Sequence, residues 1–150
     1  MHKRMGKLLR YVWAGPTTTL GLVLASLALR GGRVALVDGV VEAHGPILAW
    51  ALSRLVPLGG GAHAITLGHV VLARSARLLE LTRAHERVHV SQCERWGVLF
   101  VPAYLAAGAW AFIRGGHPYF DNRFEREAEA ISCLARRRGT RPDLRREGRT

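Results

Sequence analysis

The sequence predicts an α+β domain: a small sheet, made of a hairpin and an edge strand, packed on two helices that carry its chemistry. Three observations point there. Asp38-Gly39 separates Arg33–Val37 from Val40–His44, and both turn residues tolerate the positive φ of a type I′ turn, so the flanking runs are expected to pair as a hairpin. Ala62 to Leu72 (AHAITLGHVVL) has the branched, apolar character of a strand. From Ser75 to Trp96 there is neither Gly nor Pro, and Gly97 stands where a helix C-cap residue would, so a long helix is expected there.

The other elements follow in order. Met1 to Arg10 is basic (Lys3, Arg4, Lys7, Arg10), and Tyr11 to Leu29 then runs nineteen residues without a charge. At about 1.5 Å per residue that is just enough for a hydrocarbon core of roughly 30 Å, so a membrane-anchor helix is expected. Pro16 and Thr17-Thr18-Thr19 dilute its apolar character, which leaves a buried helix of a soluble core as the alternative. Pro46 opens a short helix with Ile47, Leu48, Ala51, Leu52, Leu55 and Val56 on one face; Pro57 stops it, and Gly59-Gly60-Gly61 makes a joint. Trp96 to Ile113 is a second uncharged stretch, of eighteen residues, in which Gly108 and the alanines of Ala106–Ala111 suit close helix packing. The chain thus divides into a basic segment and anchor helix (1–30), a domain (31–137) and a basic, disordered tail (138–150).

The chemistry sits on the long helix. His85-Glu86-Arg87-Val88-His89 spells H-E-x-x-H. Positions four apart on a helix lie roughly 40° apart around the axis and about 6 Å along it, so the two imidazoles can converge on one small cation. Glu86 lies about 100° from His85, beside such a cation rather than on it, where it can take a proton from a metal-activated water. Leu78, Leu81, Ala84/His85, Val88, Cys93 and Trp96 fall at helical spacing and define the expected buried stripe. Cys93 follows His89 by four on the ligand face, and is read as a small buried hydrophobe.

A second acidic motif follows a turn-rich segment, Gly115 to Asn122. Asn122 is a good N-cap for a helix from Arg123 to about Arg137, with Phe124, Ala128, Ile131 and Ala135 as its apolar stripe. Glu125 and Glu129 share one flank, and Glu127 points elsewhere, into solvent. A hydrolytic zinc site takes three protein ligands and keeps one position open, and a carboxylate from this helix would complete it. Asn122 and Glu125 also have capping-box spacing, in which case Glu129 would be the ligand.

With these motifs the chain resembles the gluzincin metallopeptidases, in particular membrane members of the CAAX-prenyl-protease and heat-shock-protease type. Their zinc site joins HExxH to a glutamate helix carrying E-x-E-A-D or a close variant. Here the matching run is Glu125-Arg126-Glu127-Ala128-Glu129, with Glu129 where Asp is usual. Gln92 fits an HExxHxxQ variant found in small bacterial zincins. The resemblance covers about Leu67 to Leu134. It implies a zincin-like fold, zinc (Zn2+) held by His85, His89 and Glu125, Glu86 as base, and Glu129 and Gln92 supporting the ligands. The strand before the active helix would form the rim of the cleft, with Thr66, Leu67, Gly68 and His69 meeting an extended peptide. Tyr119 and His117 are candidates to donate to the oxyanion. His44, His63 and His69 are not expected to be ligands.

This reading constrains the second uncharged stretch. A full crossing would place Glu125 about 30 Å from His85, so the stretch is expected to be buried or re-entrant. The net charge of +11 comes from 22 basic residues, only two of them Lys. No RNP-like, zinc-finger or helix-turn-helix pattern accompanies it, which argues against a specific nucleic-acid partner and leaves anionic lipid. Basic segments at both ends are compatible with membrane attachment that does not span. The expected function is that of a zinc metalloendopeptidase acting on a peptide or protein substrate at a bacterial inner membrane, the side and the oligomeric state left open. The alternative is a catalytically silent zincin-fold binding or scaffold protein at the same membrane.

Overall fold

A computed structural model describes residues 12–56 and 61–139; the basic N-terminal segment, Pro57, Gly59-Gly60 and the tail from residue 140 lie outside the described residues. The fold is α+β. Strands β1 (Arg33–Val37) and β2 (Val40–His44) pair antiparallel with Val37 opposite Val40. Asp38 (φ 48°) and Gly39 (φ 79°) turn between them, the left-handed pair that a type I′ turn requires.

The run Ala62–Leu72 is not one strand. It is a second hairpin, β3 (Ala64–Leu67) and β4 (Val70–Ala73), turning at Gly68-His69. Gly68 has φ 62°, the position that a type II′ turn reserves for glycine. The two hairpins join through a parallel β2/β4 pairing, giving the order β1-β2-β4-β3 and leaving β3 at an edge. The parallel pair needs a crossover, and α2 (Pro46–Arg54) supplies it.

Every residue of the central strand β4 is buried, because both faces of the sheet are covered. Val70 and Leu72 meet Ala25, Ala28, Ala43 and Leu48 on one face. Val71 and Ala73 meet Val40, Leu79 and Val90 on the other. Helix α1 (Gly15–Ala25), continued by a 3-10 turn over Ser26–Leu29, covers the first face through Thr17, Gly21 and Ala25. A Cβ on Gly21 would lie 2.7 Å from the Val70 Cβ, so only glycine permits this approach. The Thr18 hydroxyl donates to the Ala14 carbonyl (2.9 Å) and accepts the His69 N–H (3.1 Å), which gives the threonine run a place against the β3–β4 turn. The segment expected as an anchor is therefore folded onto the sheet, while Leu20, Leu22 and Val23 face outward.

Helix α3 (Ala76–Trp96) covers the second face, capped by the Ser75 hydroxyl, which accepts the Leu78 N–H. Its buried set includes Leu79, Val90 and Gln92, whereas Leu81 is 60% exposed, against the stripe expected from spacing. The sheet and the later helices bury two different faces of α3, so no single periodic stripe describes it.

Gly97 (φ 56°) opens a 3-10 turn before α4 (Phe100–Ile113). The helical stretch Ala76–Ile113 contains a window long and apolar enough to cross a membrane, 22% of it buried. It is bent, however. On a straight helix His89 and Tyr104 would be about 22 Å apart, yet their ring centroids lie 6.3 Å apart, so α4 folds back beside α3.

Helix α5 (Arg123–Gly139) closes the domain. The Asn122 Oδ1 accepts the Phe124 N–H (3.0 Å) as its cap, and its Nδ2 donates to the Tyr104 carbonyl (3.0 Å). Phe124, Ala128 and Ser132 are the buried face; Ile131 and Ala135, expected there, are exposed.

Candidate metal centre

The rotation of α3 is set from within and beside its own motif. Glu42, buried on β2, accepts from Arg83 at both Nε (3.0 Å) and Nη2 (2.9 Å) and from Arg87 (3.2 Å). Arg87 also donates to the Val37 carbonyl (2.7 Å) at the β1–β2 turn. With that face tied to the sheet, His85 and His89 are turned toward α4 and α5.

There Glu125 meets both rings. Its Oε2 lies 3.1 Å from His85 Nε2, its Oε1 lies 3.3 Å from His89 Nε2, and the two ring nitrogens are 3.1 Å apart. Among the described residues this is the one group of three or more ligand-type side chains gathered closely enough for a metal. A tetrahedral zinc with bonds of about 2.0–2.1 Å separates its ligand atoms by about 3.3–3.4 Å, so the observed spacing suits one face of that polyhedron. Glu125 is not used as a capping-box residue, and Glu129 approaches His85 from outside, its Oε2 3.7 Å from Nδ1.

The tautomer of His89 follows from its neighbour. Gln92, fully buried, donates through Nε2 to the Phe124 carbonyl (3.1 Å) and to Glu127 (2.8 Å). Its Oε1 is therefore the atom 2.8 Å from His89 Nδ1, which must be the donor. His89 Nε2 is then left to face the ligand cluster. Glu127, expected in solvent, accepts from Gln92 and from Arg95 (2.7 Å), and the Arg95 hydrogen bond holds its carboxyl below the ordinary range.

Glu86 stands beside the cluster rather than in it. It is buried, and the Thr66 hydroxyl on β3 donates to its Oε2 (2.7 Å). Burial raises its pKa, against the opposing pull of His89 and Thr66. For Glu125 burial acts in the same upward direction, but hydrogen bonds from His85 and His89 outweigh it and hold the carboxyl low. Burial disfavours the charged form of His89, and its contacts with Glu125 outweigh that, so its pKa is raised.

One participant escaped the sequence reading. Tyr104 on α4 donates to Glu125 Oε1 at 2.6 Å. The signal was available: Tyr104 is the only hydroxyl in the uncharged run Trp96–Ile113. Tyr119 also lies beside Glu125, and burial, followed by that carboxylate, pushes its hydroxyl up. His117 instead staples its own loop, its Nδ1 accepting the N–H groups of Tyr119 (3.1 Å) and Phe120 (3.3 Å).

Two cavities flank the cluster. An apolar one of about 440 Å³ lies between β3 and α4, and a more polar one of about 970 Å³ lies between α3 and α5; His85, Glu86, Tyr119 and Glu125 border both. Thr66 and Leu67 line the apolar cavity. Gly68 and His69 do not, because the β3–β4 turn carries them away: Gly68 packs on Thr18, and the His69 ring reaches Thr18 (3.4 Å) and Glu94 (3.2 Å). Cys93 is buried against Phe100 and Phe124, and burial pushes its thiol up to about 11, as for an inert packing residue. No protein-family model matches the chain, and no curated protein or solved structure shows significant similarity to it.

Proposed function

We propose that the protein is a zinc-dependent metallopeptidase of zincin-like fold, with His85, His89 and Glu125 holding the metal and Glu86 as general base. The observation that carries this reading is the convergence of three ligand groups from two helices, with a separate buried carboxylate beside them. Zinc held there would supply Lewis acidity, lowering the pKa of a water and polarising a carbonyl.

The remaining work falls to the chain's own residues. Thr66 orients the Glu86 carboxylate, which takes a proton from the attacking water and passes it to the leaving amine. Gln92 fixes the His89 tautomer, and Tyr104 holds one oxygen of Glu125. Tyr119, bordering both cavities, is placed to donate to charge developing on the scissile carbonyl. Strand β3, an edge, offers its backbone to an extended peptide. Attachment to a membrane, by way of the outward apolar faces of α1 (Leu20, Val23) and α4 (Trp110, Phe112, Ile113), belongs to the same proposal.

Glu86→Gln tests it. Peptide hydrolysis should fall about 10²- to 10⁴-fold, the usual contribution of a general base, while zinc content stays at the wild-type level. Hydrolysis that persists in the variant refutes the assignment. A zinc-loaded wild type without turnover on any peptide points instead to a binding role.

A further inference from the structure

Helix α4 turns a second flank away from the metal-ligand cluster. Ala103, Ala106, Ala107, Trp110 and Ala111 recur on it at helical spacing, and with Trp96 they line a third cavity, of about 700 Å³. None of His85, Glu86, His89 and Glu125 lines it. Its volume lies within the range of ligand pockets, about 300–1,000 Å³.

Two guanidiniums border this groove: Arg114, just past the end of α4, and Arg123, at the start of α5. Both side chains are exposed, and among the described residues neither forms a salt bridge. Each lies over an aromatic face instead. Arg114 Cζ is 5.7 Å from the Trp110 ring centroid, and Arg123 Cζ is 5.8 Å from that of Trp96 and 5.2 Å from that of Phe124. A guanidinium stacked on a ring keeps the N–H groups of its edge free, in the fork that suits a phosphate. The acidic groups nearby are committed elsewhere. Asp121, also in the lining, accepts the His117 N–H (2.7 Å), and Glu127, one turn along α5 from Arg123, accepts from Arg95 and Gln92.

The chemistry of α4 favours an anion carried by a lipid. The helix contains no charged residue, the Tyr104 hydroxyl is donated to Glu125, and Leu105, Phe112 and Ile113 beside the groove are exposed. A protein partner would leave its own interface donors and acceptors unmatched against such a surface, whereas acyl chains have none to match. Tryptophans belong at the level where hydrocarbon meets headgroup, and here each carries an arginine.

We infer that the groove binds one anionic phospholipid of the membrane, its phosphate at Arg114 and Arg123 and the start of an acyl chain along the alanines between Trp96 and Trp110. The inference rests on the membrane attachment proposed above and adds what that attachment recognises. It is independent of zinc and of turnover.

The test titrates the full chain by calorimetry with dioctanoyl phosphatidylglycerol and dioctanoyl phosphatidylcholine, each below its micelle concentration. The anionic lipid should bind about 10- to 30-fold more tightly, and Arg114→Gln or Arg123→Gln should each cut that preference about fivefold, the factor of one basic side chain facing anionic lipid. Arg77→Gln removes the same charge from an exposed position at the far end of α3, about 28 Å along the helix from Trp96, and should change the preference less than twofold. Ala106→Trp, which fills the groove from an exposed position, should weaken the anionic lipid about fivefold or more. Glycerol 3-phosphate should bind at least about 100-fold more weakly than the lipid, because it buries no methylene groups. Wild type without the anionic preference, an equal loss in Arg77→Gln, or glycerol phosphate binding as tightly as the lipid overturns the site. A wild-type dimer in lipid-free solution that Ala106→Trp dissociates assigns the groove to a second copy and overturns it too. Sedimentation with vesicles of phosphatidylcholine alone reports on attachment separately. A chain that sediments with them but shows no anionic preference refutes the groove alone; one that sediments with neither neutral nor anionic vesicles refutes the attachment with it.

Discussion

Gln92→Leu removes a side chain of the HExxH helix that ties His89 to the glutamate helix. Leucine fills much the same volume, so the cost falls on hydrogen bonds. Three are lost: to His89 Nδ1, to the Phe124 carbonyl and to Glu127. Glu127 keeps Arg95, but the His89 N–H and the Phe124 carbonyl are left in a buried region without that partner. At about 1–3 kcal/mol for each of these two orphaned groups, metal-free stability should drop by roughly 2–6 kcal/mol, read by urea unfolding. Zinc affinity should fall about 10- to 100-fold in a chelator competition, because nothing then holds the His89 tautomer with Nε2 facing the metal. Gln92→Glu separates the two effects. A carboxylate still accepts from His89 Nδ1 but cannot donate to Phe124 or Glu127, so zinc binding should be largely kept while stability is lost. If Gln92→Leu binds zinc as tightly as wild type, or if both variants lose affinity equally, the Nδ1 tether is not what prepares the site.

Two further predictions concern the supports of the cluster. Glu42→Ala leaves Arg83 and Arg87 without their shared carboxylate; because both arginines are partly exposed, the cost should be about 1–3 kcal/mol in urea unfolding, below the range for fully buried pairs, and an unchanged midpoint would remove Glu42 as the clamp of α3. Tyr104→Phe deletes a 2.6 Å hydrogen bond to Glu125 and should weaken zinc binding by about 3- to 30-fold, with a changed visible spectrum of the cobalt-substituted protein as Glu125 reorients; an identical spectrum and affinity would make Tyr104 a packing residue only.

Local signals carried the elements whose cause is local. Asp38-Gly39, Gly97 and Asn122 act through their own backbone and nearest neighbours, and the structure uses each where the sequence placed it. The four-residue spacing of His85 and His89 is likewise a property of one helix. Gly68-His69 failed to register as a turn because only its glycine carries a turn preference, while the strand character on both sides suggested continuity.

What tertiary structure alone decided is which surfaces meet. Ile131 and Leu81 satisfy helical periodicity yet lie exposed, because Ser132 and Gln92 are drawn inward by other helices. Composition marks Trp96–Ile113 as a candidate span, and only the bend at Gly97, with the Trp13 indole packed where a side chain would stand, returns α4 to the cluster and brings Tyr104 to Glu125. The sequence by itself determined the side-chain types of the His/Glu cluster and the turn chemistry, since those reside in single residues and short spacings. That Glu125 rather than Glu129 meets both imidazoles, and that a chamber lies between β3 and α4, came from the packing of α5 and α4 on α3, contacts between residues far apart in the chain that no local pattern encodes.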